Sequence, residues 1–215
     1  MGNLLSKELR LAAHPLSFFF LAFSLMALIP GYPILVGGFF ICFGIFQTFQ
    51  NGRETNDVLY TALLPIEKGR VVKARFLFVC SLQLTGWLLT AGLTALRMTL
   101  LGSAEPYVHN PMMNSNPVFL AWMLLIFTLF NCLFAGPFYK TAYKFGRPFI
   151  AFILAATLTV GLAETLHRLP GLEFLNTGER LPLQGALLAA AAAVYGLGTA
   201  AACRRAVRRF EALDL

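Results

Sequence analysis

VFLAWMLLIFTLFNCLFAGPF, residues 118–138, carries no charged side chain and no polar–apolar alternation. A bilayer core is about 30 Å thick and takes about 20 apolar residues to cross as a helix. Inside it the backbone finds no water, so a spanning segment pairs its own N–H and C=O groups in a helix or closes into a barrel. Barrel strands are about ten residues long and alternate strictly. This stretch does neither, and it predicts a membrane-spanning helix.

Comparable apolar runs lie on both sides, at about 16–29, 34–50, 76–98, 148–166 and 183–203. Together they predict an all-α membrane protein with six transmembrane helices and no soluble domain. The composition agrees: 58% of the 215 residues are hydrophobic and 13% charged, where a soluble domain carries about 25% charged residues. Mean hydropathy is +0.70. Lys7 and Arg10 before an apolar run resemble a signal peptide, but the run ends in Ile29-Pro30-Gly31-Tyr32-Pro33 with no small-residue cleavage site. A retained helix is expected.

Residues 2–14 place Leu4, Leu5, Leu9, Ala12 and Ala13 near one helical face, with Lys7, Glu8 and Arg10 largely elsewhere. That pattern predicts a short interfacial helix lying on the membrane over 1–14. Pro15 then bends the chain into the first span, and Pro30–Pro33 leave room for only a tight hairpin.

Charge sets the orientation. Of the 17 Lys and Arg residues, all but Arg97, Arg168 and Arg180 fall in the N-terminal segment, the 51–75 loop, the 139–147 loop or the 204–215 tail. Cytoplasmic loops carry the basic excess, so both termini are expected in the cytoplasm of a multi-pass protein of the cell (plasma) membrane. The net charge of +7 is therefore topological and directed at anionic membrane lipid, not at nucleic acid. Cys42, Cys80, Cys132 and Cys203 form no CxxC pair, which points to buried small hydrophobes and not to a metal or disulfide framework.

The segment RETNDVLYTALLPIEKGRVVKARF, residues 53–76, is where function becomes legible. Glu54 and Asp57 open a short helix, where negative charge complements the helix dipole. Val58, Leu59, Ala62 and Leu63 form an apolar stripe. Pro65 stops the helix, and Glu67 and Lys68 lead into the basic run Arg70, Lys73 and Arg75. A surface helix tethered between two spans makes a lever.

This stretch, with Asp57, Leu64-Pro65-Ile66 and basic residues around Val71-Val72, resembles the cytoplasmic loop of small ABC type-2 permeases. These are the membrane subunits of bacterial exporters, including those similar to phenol-soluble modulin and bacteriocin-immunity exporters. The resemblance extends to the layout of an interfacial helix, six spans and a loop between the second and third. Glu67 stands where the family usually has a small hydroxyl residue. The resemblance implies a single transmembrane permease domain over 1–215. It also implies a coupling helix within 51–75 (Glu54, Asp57, Val58, Leu59, Ala62, Leu63, Pro65, Glu67 and Lys68) that seats in a separate ABC ATPase subunit. A second permease copy or a related permease, and export of an amphipathic peptide or another hydrophobic molecule, are further implications. ATP and magnesium would be held by the ATPase and no cofactor by this chain, because Gly136-Pro137-Phe138-Tyr139-Lys140-Thr141 lacks the second glycine and flexible loop of GxxxxGK[ST].

The third span carries Gln83, Trp87, Thr90, Thr94 and Arg97 in one stripe under about 90° wide. Such a stripe either lines a translocation path or supplies interhelical hydrogen bonds. Asn131 should find a partner across helices, and Glu164 and Arg168 have i,i+4 ion-pair spacing. Gly185, Ala189, Ala193, Gly196 and Ala200 offer close helix approach, within one chain or between two. His14, His109 and His167 lie on separate loops, and no HExxH or GxSxG occurs, so the chain is not expected to be an enzyme by itself. The competing expectation is a non-transport polytopic protein: an assembly or immunity factor, or an embedded lipid-modifying enzyme.

Overall fold

The computed structural model describes residues 2–57, 60–61, 65–141, 144–177 and 180–213. All regular structure among them is helical. Helix α1 covers Gly2–Lys7 and continues as a π turn over Glu8–Ala12, and α2 covers Pro15–Phe19 and continues as a 3₁₀ helix over Phe20–Leu28. The two meet at 95°. Pro15 causes the bend: a residue before proline is pushed out of the α region, and His14 is extended, at φ −75° and ψ 137°. The His14 ring accepts the Leu16 N–H (3.2 Å) and so caps α2.

Five longer helices follow: α3 (Val36–Glu54), α4 (Lys68–Leu101), α5 (Pro117–Phe138), α6 (Gly146–Leu166) and α7 (Leu181–Glu211). Helices thus occupy all six predicted intervals. Four of them, α4 to α7, are long and apolar enough to cross a membrane, or five if the bent α1–α2 pair forms one span. Helix α3 falls short of the sixth because its last turns hold Gln47, Gln50, Asn51, Arg53 and Glu54. Two expected boundaries also move. The 51–75 loop is shortened from both sides, and the 204–215 tail continues α7 as helix to Glu211. Ala206 and Phe210 are buried along that extension, with Phe210 edge-on to Tyr139 at 5.4 Å, so packing carries the helix on.

Helix α5 is the most enclosed of the four spans. It meets α3 and α6 through phenylalanines: Phe46 stacks on Phe149 at 3.8 Å between ring centres, and Phe134 meets Phe46, Phe49 and Phe149 at 5.1–5.6 Å. The outward faces are equally apolar. Ile150, Leu154, Leu158 and Leu162 form an exposed ridge on α6. An apolar ridge of this length suits lipid and not water.

Helices α2 and α3 approach closely at Gly44. A Cβ there would lie 2.5 Å from Phe20 Cβ and 3.3 Å from the Leu16 carbonyl oxygen. Ser17 donates to the Gly44 carbonyl (2.6 Å) and bonds Thr48 (2.7 Å), which also accepts the His14 N–H (3.0 Å). Gly44→Ala must push the helices apart, at about 1–3 kcal/mol. A lowered unfolding midpoint in detergent is the expected result. Gly92→Ala, with nothing within 4 Å of the added carbon, should leave the midpoint unchanged or slightly raised.

Candidate functional site

Both ends of the shortened 55–67 connection are fixed by charge. The chain turns at Asn56, whose φ of 52° is left-handed, a conformation that asparagine tolerates better than most residues. That turn directs Asp57 back toward α4. There Arg75, 6% exposed at its side chain, lies with Nε 2.5 Å from Glu8 Oε2 and Nη2 2.7 Å from Asp57 Oδ2. Lys7 completes the node, its Nζ 2.5 Å from Asp57 Oδ1, 3.4 Å from Glu8 and 3.0 Å from Thr61 Oγ1. The Arg75 guanidinium also sits 5.5 Å from the Phe49 ring centre.

Arg75 and Glu8 are thereby withdrawn from water, while Lys7 and Asp57 stay partly exposed at the rim of the node. A buried ion pair returns its desolvation cost only with close geometry and further hydrogen bonds, and the node has both. Its consequence is mechanical: α1, the chain after α3, and the second turn of α4 cannot move independently. Burial also lifts the phenol of nearby Tyr139 above its ordinary range, with Arg75 opposing the shift.

A second tie joins the connection to α7. Lys68 Nζ donates to the Leu213 carbonyl at 2.6 Å. A Cβ on Gly69 would lie 2.8 Å from Glu211 Oε1 and 3.1 Å from Val207 Cγ1, so α7 seats closely against the start of α4 here. The outer side of the same α7 segment presents Arg204, Arg205, Arg208 and Arg209, all exposed.

Of the expected coupling residues, Asp57 joins the node and Lys68 the α7 tie. Glu54 is exposed and accepts from Gln50 (3.1 Å), Pro65 is exposed, and Glu67 is exposed and pairs with Arg70 (2.9 Å). Val58, Leu59, Ala62 and Leu63 lie outside the described residues. Glu8 and Arg75 were not singled out by sequence. One signal for Glu8 was available: it is the only acidic residue before Glu54, on a helix otherwise suited to a membrane surface.

The third-span stripe turns into the bundle. Gln83 exchanges two hydrogen bonds with Asn131 (3.1 and 3.0 Å) and accepts from the Tyr195 hydroxyl (3.0 Å), while Asn131 also donates to Thr199 (2.9 Å). This network ties α4, α5 and α7 together. It sits where α5 forms a π turn, Phe130–Ala135, just ahead of Pro137; proline removes an N–H and crowds the carbonyl four residues back. Trp87 donates to the Leu120 carbonyl (3.2 Å), Thr90 to Gly86 of its own helix (2.8 Å), and Thr94 bonds Ser115 (2.7 Å). Arg97 donates to the Ala27 carbonyl (2.7 Å) and to Asn114 (2.8 Å).

One further expectation needs correction, and one pair of alternatives is narrowed. Glu164 does not pair with Arg168. It accepts the Met113 N–H (2.9 Å), and Arg168 donates to the Pro111 carbonyl (3.1 Å), because the 111–113 backbone offers both groups nearer partners. The small residues Gly185, Ala189, Ala193, Gly196 and Ala200 all face outward, so they do not serve packing within this chain. Instead Gly198 meets Thr128 of α5, beside the buried Ala191 and Ala202.

A family model described as ABC-2 family transporter protein matches residues 3–200. No curated protein and no solved structure gives a significant match. The matched region includes α1 to α6, the ionic node and most of α7. The chain belongs to the ABC-2 transporter family, whose members are multi-pass membrane permease components that normally work with a separate ATPase subunit.

Proposed function

We propose that this chain is the permease half of an ABC exporter in which a separate ATPase subunit acts on the 51–75 segment. The observation that carries the proposal is the node of Lys7, Glu8, Asp57 and Arg75. Without such a tie, a push on a short surface segment is lost in its tethers. With it, the displacement reaches α1 and α4 together. The exposed Glu54, Tyr60, Pro65 and Glu67 and the apolar residues Val58, Leu59, Ala62 and Leu63 supply the surface for the ATPase, which holds the ATP and magnesium.

In this reading α1 lies on the cytoplasmic face of the cell membrane, α2 to α7 are the six spans, and both termini are cytoplasmic. The outward small-residue face of α7 receives a second copy or a related permease. Closure of the ATPases switches the spans between inward- and outward-open states, and an amphipathic peptide or other hydrophobic molecule leaves the cell. The stripe from Gln83 to Arg97 is held by intramolecular hydrogen bonds, which supports packing as its role over lining the path.

Two substitutions separate attachment from transmission. Leu63→Arg should abolish co-purification of the chain with its ATPase and the stimulation of ATP hydrolysis. Glu8→Gln should keep the ATPase bound but lose at least half of the stimulation, since the node and not the contact surface is altered. Undiminished association and stimulation in Leu63→Arg would remove the coupling assignment.

A further inference from the structure

At the far end of the bundle from the node, α4 changes to a π turn over Arg97–Leu101. π turns are uncommon and concentrate at functional sites. Arg97, at the start of this one, is 3% exposed. Besides its bonds to Ala27 and Asn114, its guanidinium lies over the Tyr107 ring at 4.4 Å. Among the described residues no carboxylate pairs with it, whereas Arg75 has two.

Beside Arg97 opens a cleft of about 550 Å³. Its polar lining includes Tyr107, Asn110, Asn114, Asn116 and Asn176, and among the described residues no acidic side chain lines it. The wall is tied together and not left to loop geometry. Asn176 accepts the Asn114 N–H (2.5 Å), Asn116 donates to the Leu175 carbonyl (2.8 Å), Asn110 accepts the Gly31 N–H (3.0 Å), and the Tyr107 hydroxyl donates to the Leu28 carbonyl (2.9 Å).

A guanidinium has five N–H donors in a fixed plane, and Arg97 makes two hydrogen bonds to protein. A buried cation without an anion is costly. Planar or tetrahedral oxygens take guanidinium donors in pairs, which an ammonium or a neutral amide cannot reproduce. Cavities of about 300–1,000 Å³ hold small ligands, so the volume suits a charged head with part of an attached chain. We propose that this cleft binds an oxyanion, a carboxylate or phosphate, with Arg97 as its charge partner and the asparagine wall setting its orientation. The site is independent of the transport reading, because binding alone reveals it.

The test uses the full chain purified in a neutral maltoside detergent, with affinities measured by thermophoresis. One pair of probes is short-chain phosphatidylglycerol against phosphatidylcholine. The other is an amphipathic peptide with a free C-terminal carboxylate against its amide. At least one anionic probe should bind about tenfold more tightly than its counterpart, and Arg97→Gln should erase that preference. The lipid pair alone responding identifies a headgroup site, and the peptide pair alone a peptide carboxylate. Val108→Trp fills the cleft from an exposed rim position without touching the guanidinium, and should erase the preference too. Less than twofold discrimination in both pairs overturns the proposal. So does a preference that survives Arg97→Gln or, should that variant not fold, Val108→Trp; such a preference would belong to the arginines at the end of α7.

Discussion

Arg75→Met is expected to lower the unfolding free energy by about 3–5 kcal/mol, the cost of breaking a buried ion pair from one side. Methionine is of comparable length, so the loss is electrostatic more than volumetric. It leaves Glu8 and Asp57, both within 3 Å of the guanidinium, sharing Lys7 alone. Glu8 suffers more, since its side chain is 2% exposed and only the 3.4 Å Lys7 contact remains. Adding Glu8→Gln removes the stranded charge, so the double variant should regain part of the lost stability. An unfolding titration in mixed detergent micelles reads both effects. An unchanged midpoint in Arg75→Met, or a double variant equal to the sum of the singles, would show that the node is not a coupled unit.

The same variant separates two roles of the 51–75 segment. Asp57 was expected on the coupling surface, yet its carboxylate points inward to Lys7 and Arg75. A residue so placed acts by positioning the segment. Sequence could not distinguish the cases, because an acid near the start of a short helix serves either a dipole or a distant cation. Arg75 is eighteen residues from Asp57 and Glu8 lies on another helix; no local spacing brings them together.

The helices themselves were legible because the bilayer imposes a length and a polarity that a run such as 118–138 cannot hide. Their ends were less so. Helix α4 starts at Lys68 and α7 reaches Glu211, since basic residues end an apolar run without ending a helix. At 31 residues and 1.5 Å per residue, α7 is about 46 Å long, well beyond an apolar core of about 30 Å. Packing of Phe210 and Val207 against the rest of the chain, not hydropathy, sets that length. Helix α3 differs in the other direction: the expected span, 34–50, lies almost wholly within it, but its polar last turns carry the helix on to Glu54 and lower its apolar character. The outward small-residue face of α7 shows a third limit. Spacing identifies a face that permits close approach but does not say which neighbour approaches.

Asn131→Leu should cost about 2 kcal/mol, at the upper end for polar contacts inside a bilayer, because it strands several groups at once. Gln83 loses both hydrogen bonds to the Asn131 amide, keeping only the Tyr195 hydroxyl, and Thr199 loses a donor, at a depth where neither can turn to water. Replacing both members of a buried pair is far cheaper than replacing one. The Gln83→Leu/Asn131→Leu double variant should therefore return to within about 1 kcal/mol of the parent. Thr199 can then bond a carbonyl of its own helix, which leaves the Tyr195 hydroxyl as the chief residual cost. The double variant also decides what the stripe is for. If Gln83 contributes only to packing, restored stability brings restored substrate efflux in membrane vesicles. If its amide faces the moving substrate, the double variant is stable and inactive. A single substitution cannot separate these outcomes, because it damages the fold and the path together. A harmless Asn131→Leu would mean that α4, α5 and α7 are held by their apolar surfaces alone.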